Sequence, residues 1–426
     1  MHAISLQAAE TGDTQAKLNL LQQQNQALQD QLSQQQKLID SLSQKVELLH
    51  DSSKRHPPGI TDLEDKNDSS STAEKLGSAS GLGKVIISGE GGAGFLKSGS
   101  EGAFPKGDFL LDEAKLFIEA PIHDHIYFFS EINLMTREAQ DLSLQLGETY
   151  IDFESVSRLW NDERMLNIRL GRMDTPFGEE YMERDAIDNP LISHSLTDLW
   201  GISQGIELYG GIGAFSYVAA VQNGGAASRS FTEDKSVIGR LSYDPAHWLH
   251  LSVSGMRTGD LAPNDEWSSL WFGNGWFVPF GSTNVSRFHA DLAEGDVRVS
   301  LPHGQIKVFG GYIRYEDNDK PARNGRDLYY YSIEAQHDVI GKLYSAARFS
   351  QIFANHGFPI VGNGSMDNFL FAPTTEEIWR LSLGLGYRLN RNMVLKAEYT
   401  FEQGKELGGE KRDHEDLFGV EAAFKF

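Results

Sequence analysis

The sequence predicts an all-β chain: a 16-stranded antiparallel transmembrane β-barrel over residues 84–426, preceded by an α-helical coiled coil over 1–50 and a flexible linker over 51–83. Three observations carry that expectation. Residues 18–49 keep a heptad spacing, the chain after 83 switches to period-two alternation, and the connections between the alternating stretches are short and long by turns.

The heptad comes first. Leu18, Asn25, Leu32, Ile39 and Val46 fall at position a, and Leu21, Leu28, Gln35, Leu42 and Leu49 at d, so the seam is apolar except at Asn25 and Gln35. A segment of this length makes a rod of roughly 50 Å at about 1.5 Å rise per residue. The two polar seam positions cost stability but fix register and strand number. The expected role is self-association, because the Gln-rich outer faces offer little for packing against a domain. The linker follows, with His56-Pro57-Pro58-Gly59, the polar run 65–72 and the Gly/Ser-rich run 77–83, none of which can build a core.

Alternation and turn signals then place strands near 84–97, 109–119, 124–136, 145–156, 165–172, 203–209, 212–222 and 233–244. They continue near 247–257, 285–298, 302–316, 327–338, 341–353, 376–388, 392–403 and 413–426. The short connections are 120–123, 157–164, 210–211, 245–246, 299–301, 339–340 and 389–391. The long ones are 98–108, 137–144, 173–202, 223–232, 258–284, 317–326, 354–375 and 404–412. In a meander, alternate connections lie at opposite ends, so one end carries tight turns and the other long loops, as in outer-membrane barrels.

The faces agree. Phe418, Val420, Ala422, Phe424 and Phe426 share one face of the last strand, opposite Gly419, Glu421, Ala423 and Lys425. Leu395, Ala397, Tyr399 and Phe401 alternate with Lys396, Glu398 and Thr400, and Leu381, Leu383 and Leu385 with Arg380, Ser382 and Gly384. Sixteen strands enclose a lumen too wide for side chains to fill, so the apolar face is expected outside, against lipid. Strands 285–298 and 302–316 alternate badly, for which a bulge or a subunit interface is the expected reason.

Composition excludes several classes. No cysteine is present, which removes disulfide scaffolds, zinc ribbons, thiol catalysis and Cys-ligated clusters. With 38 Lys+Arg against 60 Asp+Glu the formal charge is −22, a poor match for nucleic acid. The longest largely apolar run, Ile212 to Val221, is too short for a membrane-spanning helix. The start Met1 to Leu6 has neither the charge nor the apolar core of a secretion signal, so for an exported protein the expectation is a signal that has been cut off or lies upstream of this start. No Gly-x-Ser-x-Gly element occurs, and His123-Asp124-His125 straddles a turn with no third histidine close in sequence. No catalytic residue, metal site or cofactor is assigned.

Three features resemble a known family. The strand ending in Phe424 and Phe426 looks like the insertion signature of bacterial outer-membrane barrels. Gly171-Arg172-Met173-Asp174-Thr175-Pro176-Phe177-Gly178-Glu179 resembles the motif that opens the third long loop of phosphate-selective porins O and P and their relatives, and the N-terminal coiled coil is similar to that of several trimeric specific porins. The resemblance implies a homotrimer of Gram-negative outer-membrane channels, each narrowed by that loop folded inward, with the coiled coil in the periplasm.

Loop 173–202 is therefore the expected constriction. It holds Asp174, Glu179, Glu180, Glu183, Asp185, Asp188 and Asp198 against Arg184, and lacks the Arg/Lys ladder of the phosphate-selective relatives. Alternation points Glu113, Glu119, Glu131, Glu148, Asp152, Glu154 and Glu207 into the lumen with Lys115 and Arg169. Arg240, Arg348, Arg380 and Lys396 point in from later strands, among Glu334, Glu398 and Glu421. Opposed acidic and basic walls would set a transverse field across a narrow aqueous pore. The expected function is passive diffusion of small hydrophilic solutes and ions with mild cation preference. The alternatives are a phosphate, oxyanion or saccharide channel (loop 258–284 carries Trp267, Trp271 and Trp276), a coiled-coil tether to the cell wall, and a barrel sheath for a cytochrome conduit.

Overall fold

The computed structural model describes residues 85–135, 144–160, 165–224, 234–260, 287–318, 325–360 and 374–426. The coiled-coil seam, the linker and the tryptophans of loop 258–284 lie outside these residues. The strands are β1 (Ile86–Ser98), β2 (Asp108–His123), β3 (Ile126–Met135), β4 (Gln145–Phe153), β5 (Asn167–Asp174) and β6 (Ile202–Ile212). Next come β7 (Phe215–Gln222), β8 (Ser236–Ala246), β9 (Leu249–Arg257), β10 (Phe288–Leu301), β11 (Gly304–Asp317) and β12 (Arg326–Ile340). The last are β13 (Leu343–Pro359), β14 (Thr374–Asn390), β15 (Met393–Glu406), β16 (Lys411–Arg412) and β17 (Leu417–Lys425).

Each long strand pairs antiparallel with its neighbour in sequence, and β1 also pairs with β17, so the sheet closes and has no edge. The two-residue β16 only extends the ribbon beside Gly404 and Lys405, which leaves sixteen strands in the ring. Each falls on one of the stretches expected to be strands, β10 and β11 being the two whose alternation is poor. Tight turns at 124–125, 213–214, 247–248, 302–303, 341–342 and 391–392 sit at one end, and the long connections at the other. The connection 154–166 is longer and holds a 3-10 turn, Val156–Trp160. The turns lie up to a few residues beyond the expected positions, because the chain reverses where φ is positive: His125 at 61°, Gly213 at 63° and Gly341 at 57°. Residues just before those points stay in the ladder although their side chains are exposed.

The two faces sort as the alternation predicts over most of the ring. Leu383, Leu385, Tyr399, Phe401, Phe418, Val420 and Phe424 are exposed on the outside, while Arg380, Ser382, Lys396, Glu398, Thr400 and Glu421 are buried within. The glycines of β1 let β17 approach: a Cβ on Gly89 would lie 2.7 Å from the Phe426 ring, and one on Gly91 3.2 Å from the Phe424 ring. The backbones of Gly89 and Phe426 exchange hydrogen bonds at 2.9 and 3.2 Å.

One expectation is corrected. The interior is not polar throughout, because Ile238, Met256, Phe288, Ala290, Leu292, Ile313, Tyr315, Leu328, Tyr330, Ile352 and Ile378 form a buried apolar cluster on the inner face of β8–β14, toward the long-loop end. This also explains why β10 and β11 alternate badly. Their pairing runs without a register shift, so no bulge is involved. The inner face carries apolar groups there because Phe177, Leu196 and Leu199 from the β5–β6 connection pack onto it.

Candidate functional site

Residues 175–201 leave β5, run inside the ring and return to β6. The motif at 171–179 makes the entry. Met173 is fully buried, the Thr175 amide donates to the Gly201 carbonyl at 2.7 Å to close the neck, and Thr175 Oγ1 bonds Gln222 Oε1 at 2.9 Å. Gly178 has φ 68°, and a Cβ there would stand 2.1 Å from Glu294 Oε1, so any other residue would be strained and would push the carboxylate aside. Its amide donates to Ser254 Oγ at 3.1 Å and its carbonyl accepts from Arg240 at 2.7 Å.

Within the loop, Glu180 accepts from the Ser195 amide and hydroxyl at 3.0 and 2.6 Å. Arg184 binds both carboxylate oxygens of Asp198 at 2.6 and 2.8 Å, with His194 Nδ1 3.0 Å from the same group and the guanidinium 4.9 Å from the Trp200 ring centroid. Burial alone would raise the Asp198 carboxyl, but the Arg184 charge and His194 hold it well below the usual carboxylate range. The same contest lowers Glu179, where His250 overcomes burial, and Asp185, where Lys115 does.

The loop is pinned to the opposite wall by buried charges. Lys396 Nζ donates to the carbonyls of Ala186 and Leu191 at 2.6 and 3.0 Å and pairs with Glu421 at 2.9 Å. Glu398 accepts from the amides of Ile192 and Ser193. Arg348 donates to the Ser193 carbonyl at 2.7 Å and to Asn189 Oδ1 at 2.9 Å while pairing with Glu334. Arg380 reaches the His194 carbonyl at 3.2 Å and Glu402 at 2.5 Å. Leu191 and Ile192 pack over Gly384 and Gly419.

These contacts correct the expected layout of charge. Arg348, Arg380 and Lys396 face inward, but the loop covers them, so they are anchors rather than an open basic wall. The loop acids are not bare either. Glu179 bonds His250 at 2.5 Å, Glu183 pairs with Arg298 at 3.5 Å and with Lys307, Asp185 with Lys115, Asp188 with Lys425 at 3.5 Å, and Asp174 accepts from Trp200 at 3.2 Å. Alternation did not single out Arg298 and Lys307, because β10 and β11 are the strands whose pattern fails. Glu179, Glu180, Glu183, Arg298, Lys307 and Glu334 help line a space of about 580 Å³, open to solvent, between the loop and β10–β12.

On the wall of β3–β6, Glu148 accepts from the Asp174 amide at 2.9 Å. Glu131 lines the same wall beside Gly147, and Arg169 pairs with Asp152 at 3.2 Å and Glu207 at 3.0 Å. Glu90, Glu113 and Asp185 bring carboxylate oxygens within 4.8 Å of one another, the spacing of a cation site. The Lys115 ammonium already supplies the cation, 3.5 Å from Glu90 and 3.3 Å from Glu113.

The ring has the fold of outer-membrane channels. It is similar to the outer membrane channel DcaP of Acinetobacter baumannii (TM-score 0.53, 12% identity, 80% of this chain and 97% of that one). It is similar as well to OmpT, an outer membrane protein of Vibrio cholerae (0.53, 11%, 82% and 99%), and to Pseudomonas putida OprB (0.53, 11%, 80% and 94%). No family model matches the chain, and no curated protein matches its sequence.

Proposed function

We propose that the chain is an outer-membrane porin of a Gram-negative cell, a water-filled passive channel for small hydrophilic solutes and ions, and not an enzyme. The observation that carries this reading is a closed ring with an apolar outer face and a long loop folded into a charged interior. The outer face suits lipid, because a closed ring of paired strands leaves no open sheet edge toward it. Acids outnumber bases around the lumen, and Arg348, Arg380 and Lys396 each have a carboxylate partner, which supports mild cation preference over phosphate or oxyanion selectivity. A homotrimer fits the heptad seam, with the coiled coil in the periplasm within reach of the cell wall; among similar folds, one OmpT structure is described as a trimer form.

Planar-bilayer recording tests the channel and its sign together. Discrete open steps with a reversal potential favouring potassium over chloride are expected in a KCl gradient. A silent membrane would sink the channel, and a chloride-favouring potential the cation preference.

A further inference from the structure

The inner wall near the tight-turn end carries a row of rings on consecutive strands. Phe117 on β2, Phe129 on β3 and Tyr150 on β4 lie side by side, with ring centroids 5.9 and 5.1 Å apart and planes within 25°. The row continues through Arg169 on β5, whose guanidinium lies 4.3 Å from the Tyr150 centroid and 5.0 Å from that of Tyr209 on β6. All five side chains are half-buried.

Carboxylates are interleaved with the rings. The β2–β3 register sets Glu131 across from Phe117 and Glu119 across from Phe129, a checkerboard of two rings and two acids. Asp152 is 7% exposed; its Oδ2 takes Arg169 and the Tyr209 hydroxyl at 2.8 Å, while its Oδ1 has no partner among the described residues. The bases near this wall are already engaged, Lys115 by the loop and Arg169 by Asp152 and Glu207.

We propose that this wall is a binding track for organic cations, solutes that join an ammonium or guanidinium group to an aliphatic body. The inference rests on the channel reading and adds a solute class to it. The wall's own Arg169 displays the chemistry: a guanidinium beside two tyrosine rings with a carboxylate on each side. A ring attracts a cation through its quadrupole, and a neighbouring carboxylate adds charge and a hydrogen-bond acceptor. The alkyl body covers the apolar surface of the rings in the row. A neutral sugar stacks on rings too, yet gains little from the excess of carboxylates.

The test uses the full-length protein, with spermidine as the organic cation and maltotriose as the neutral ring solute. Calorimetry on detergent-solubilised protein reads binding whether or not the protein conducts, and spermidine block of potassium current in bilayers reads the track in the working channel. Spermidine binding is expected to weaken about five- to tenfold in Phe129→Leu/Tyr150→Leu, between the scale of an exposed and that of a desolvated cation–ring contact. A smaller weakening is expected in Glu131→Gln, with block strongest for spermidine added from the tight-turn side. Retention of the folded barrel's gel mobility checks each variant. Equal spermidine affinity in folded wild type and double variant overturns the track. Maltotriose binding that depends on the two rings, without spermidine binding, replaces it with a saccharide site. Spermidine binding that follows the rings in a protein without conductance leaves the track standing and removes the channel.

Discussion

The wall of β13–β17 and the wall of β3–β6 read alike in sequence, charged residues alternating with apolar ones, yet they do different things. On the first, Arg348, Arg380 and Lys396 are almost wholly buried and bind backbone carbonyls of the inward loop. On the second, Arg169 is 24% exposed by side chain and bonds to groups of its own wall. The same inward-facing base is thus a structural anchor where the loop lies over it and part of the lumen surface where it does not. A buried charge held by several partners is costly to orphan, whereas a base that is 24% exposed keeps part of its hydration and costs less to lose.

The sharpest way to break this contrast is Lys396→Met. It leaves Glu421 without the ammonium and frees two loop carbonyls, and a loss of about 3–5 kcal/mol is expected in denaturant unfolding of the barrel. Single-channel conductance should rise as residues 186–193 lose their anchor; unchanged stability and conductance would show that the loop does not depend on that wall.

Gly178→Ala comes next. It places a methyl group against Glu294 at a positive φ, with an expected cost of about 1–3 kcal/mol and a noisier open state, read by thermal melting and current recording. Arg169→Met, on the open wall, should cost about 1–2 kcal/mol, because it takes the guanidinium from Asp152 and Glu207 but frees no backbone group of the loop. It should also move the reversal potential further toward potassium; destabilisation as large as that of Lys396→Met would erase the contrast.

The pH response sharpens the picture from the loop's side. The Asp198 carboxyl is held below its ordinary range, so its contribution to stability is fully present above the unfolded value of about 3.9 and is lost only as pH falls through the lower folded value. Open-channel current should stay steady from pH 7 to 5 and become unstable only under more acid conditions. A transition near pH 6 would mean that another group controls the loop. The smallest effect is expected from Glu183→Gln, whose carboxylate is shared between Arg298 and Lys307: less than about a twofold fall in potassium-to-chloride permeability, from the same bilayer recordings.

The ring was legible because period-two alternation and loop length are local properties. Leu383 and Leu385 outside, with Arg380 and Ser382 inside, follow from strand geometry alone. What a base on the inner face touches is not local. Lys396 meets Ala186 and Leu191, some two hundred residues away, and nothing in the period of β15 tells it apart from Arg169 on β5. The inner face of β10 was illegible for a related reason. Phe288, Ala290 and Leu292 sit where a polar group was expected, since their solvent is the loop carrying Phe177 and Leu196 rather than water. Failed alternation was itself a signal, marking where the loop packs inside and where Arg298 and Lys307 meet Glu183.

The pairing of β1 with β17 has a consequence for how the molecule comes into being. Glu90 through Ser98 find their partners in Leu417 through Lys425, so the two margins of the sheet that must meet are separated by nearly the whole ring. During synthesis the first strand waits with an unsatisfied row of amides and carbonyls until the last one arrives. Contacts so distant along the chain are slow to form, and an open sheet margin invites other chains. Assembly is therefore served by anything that keeps the unfinished sheet from its neighbours until the first and last strands meet.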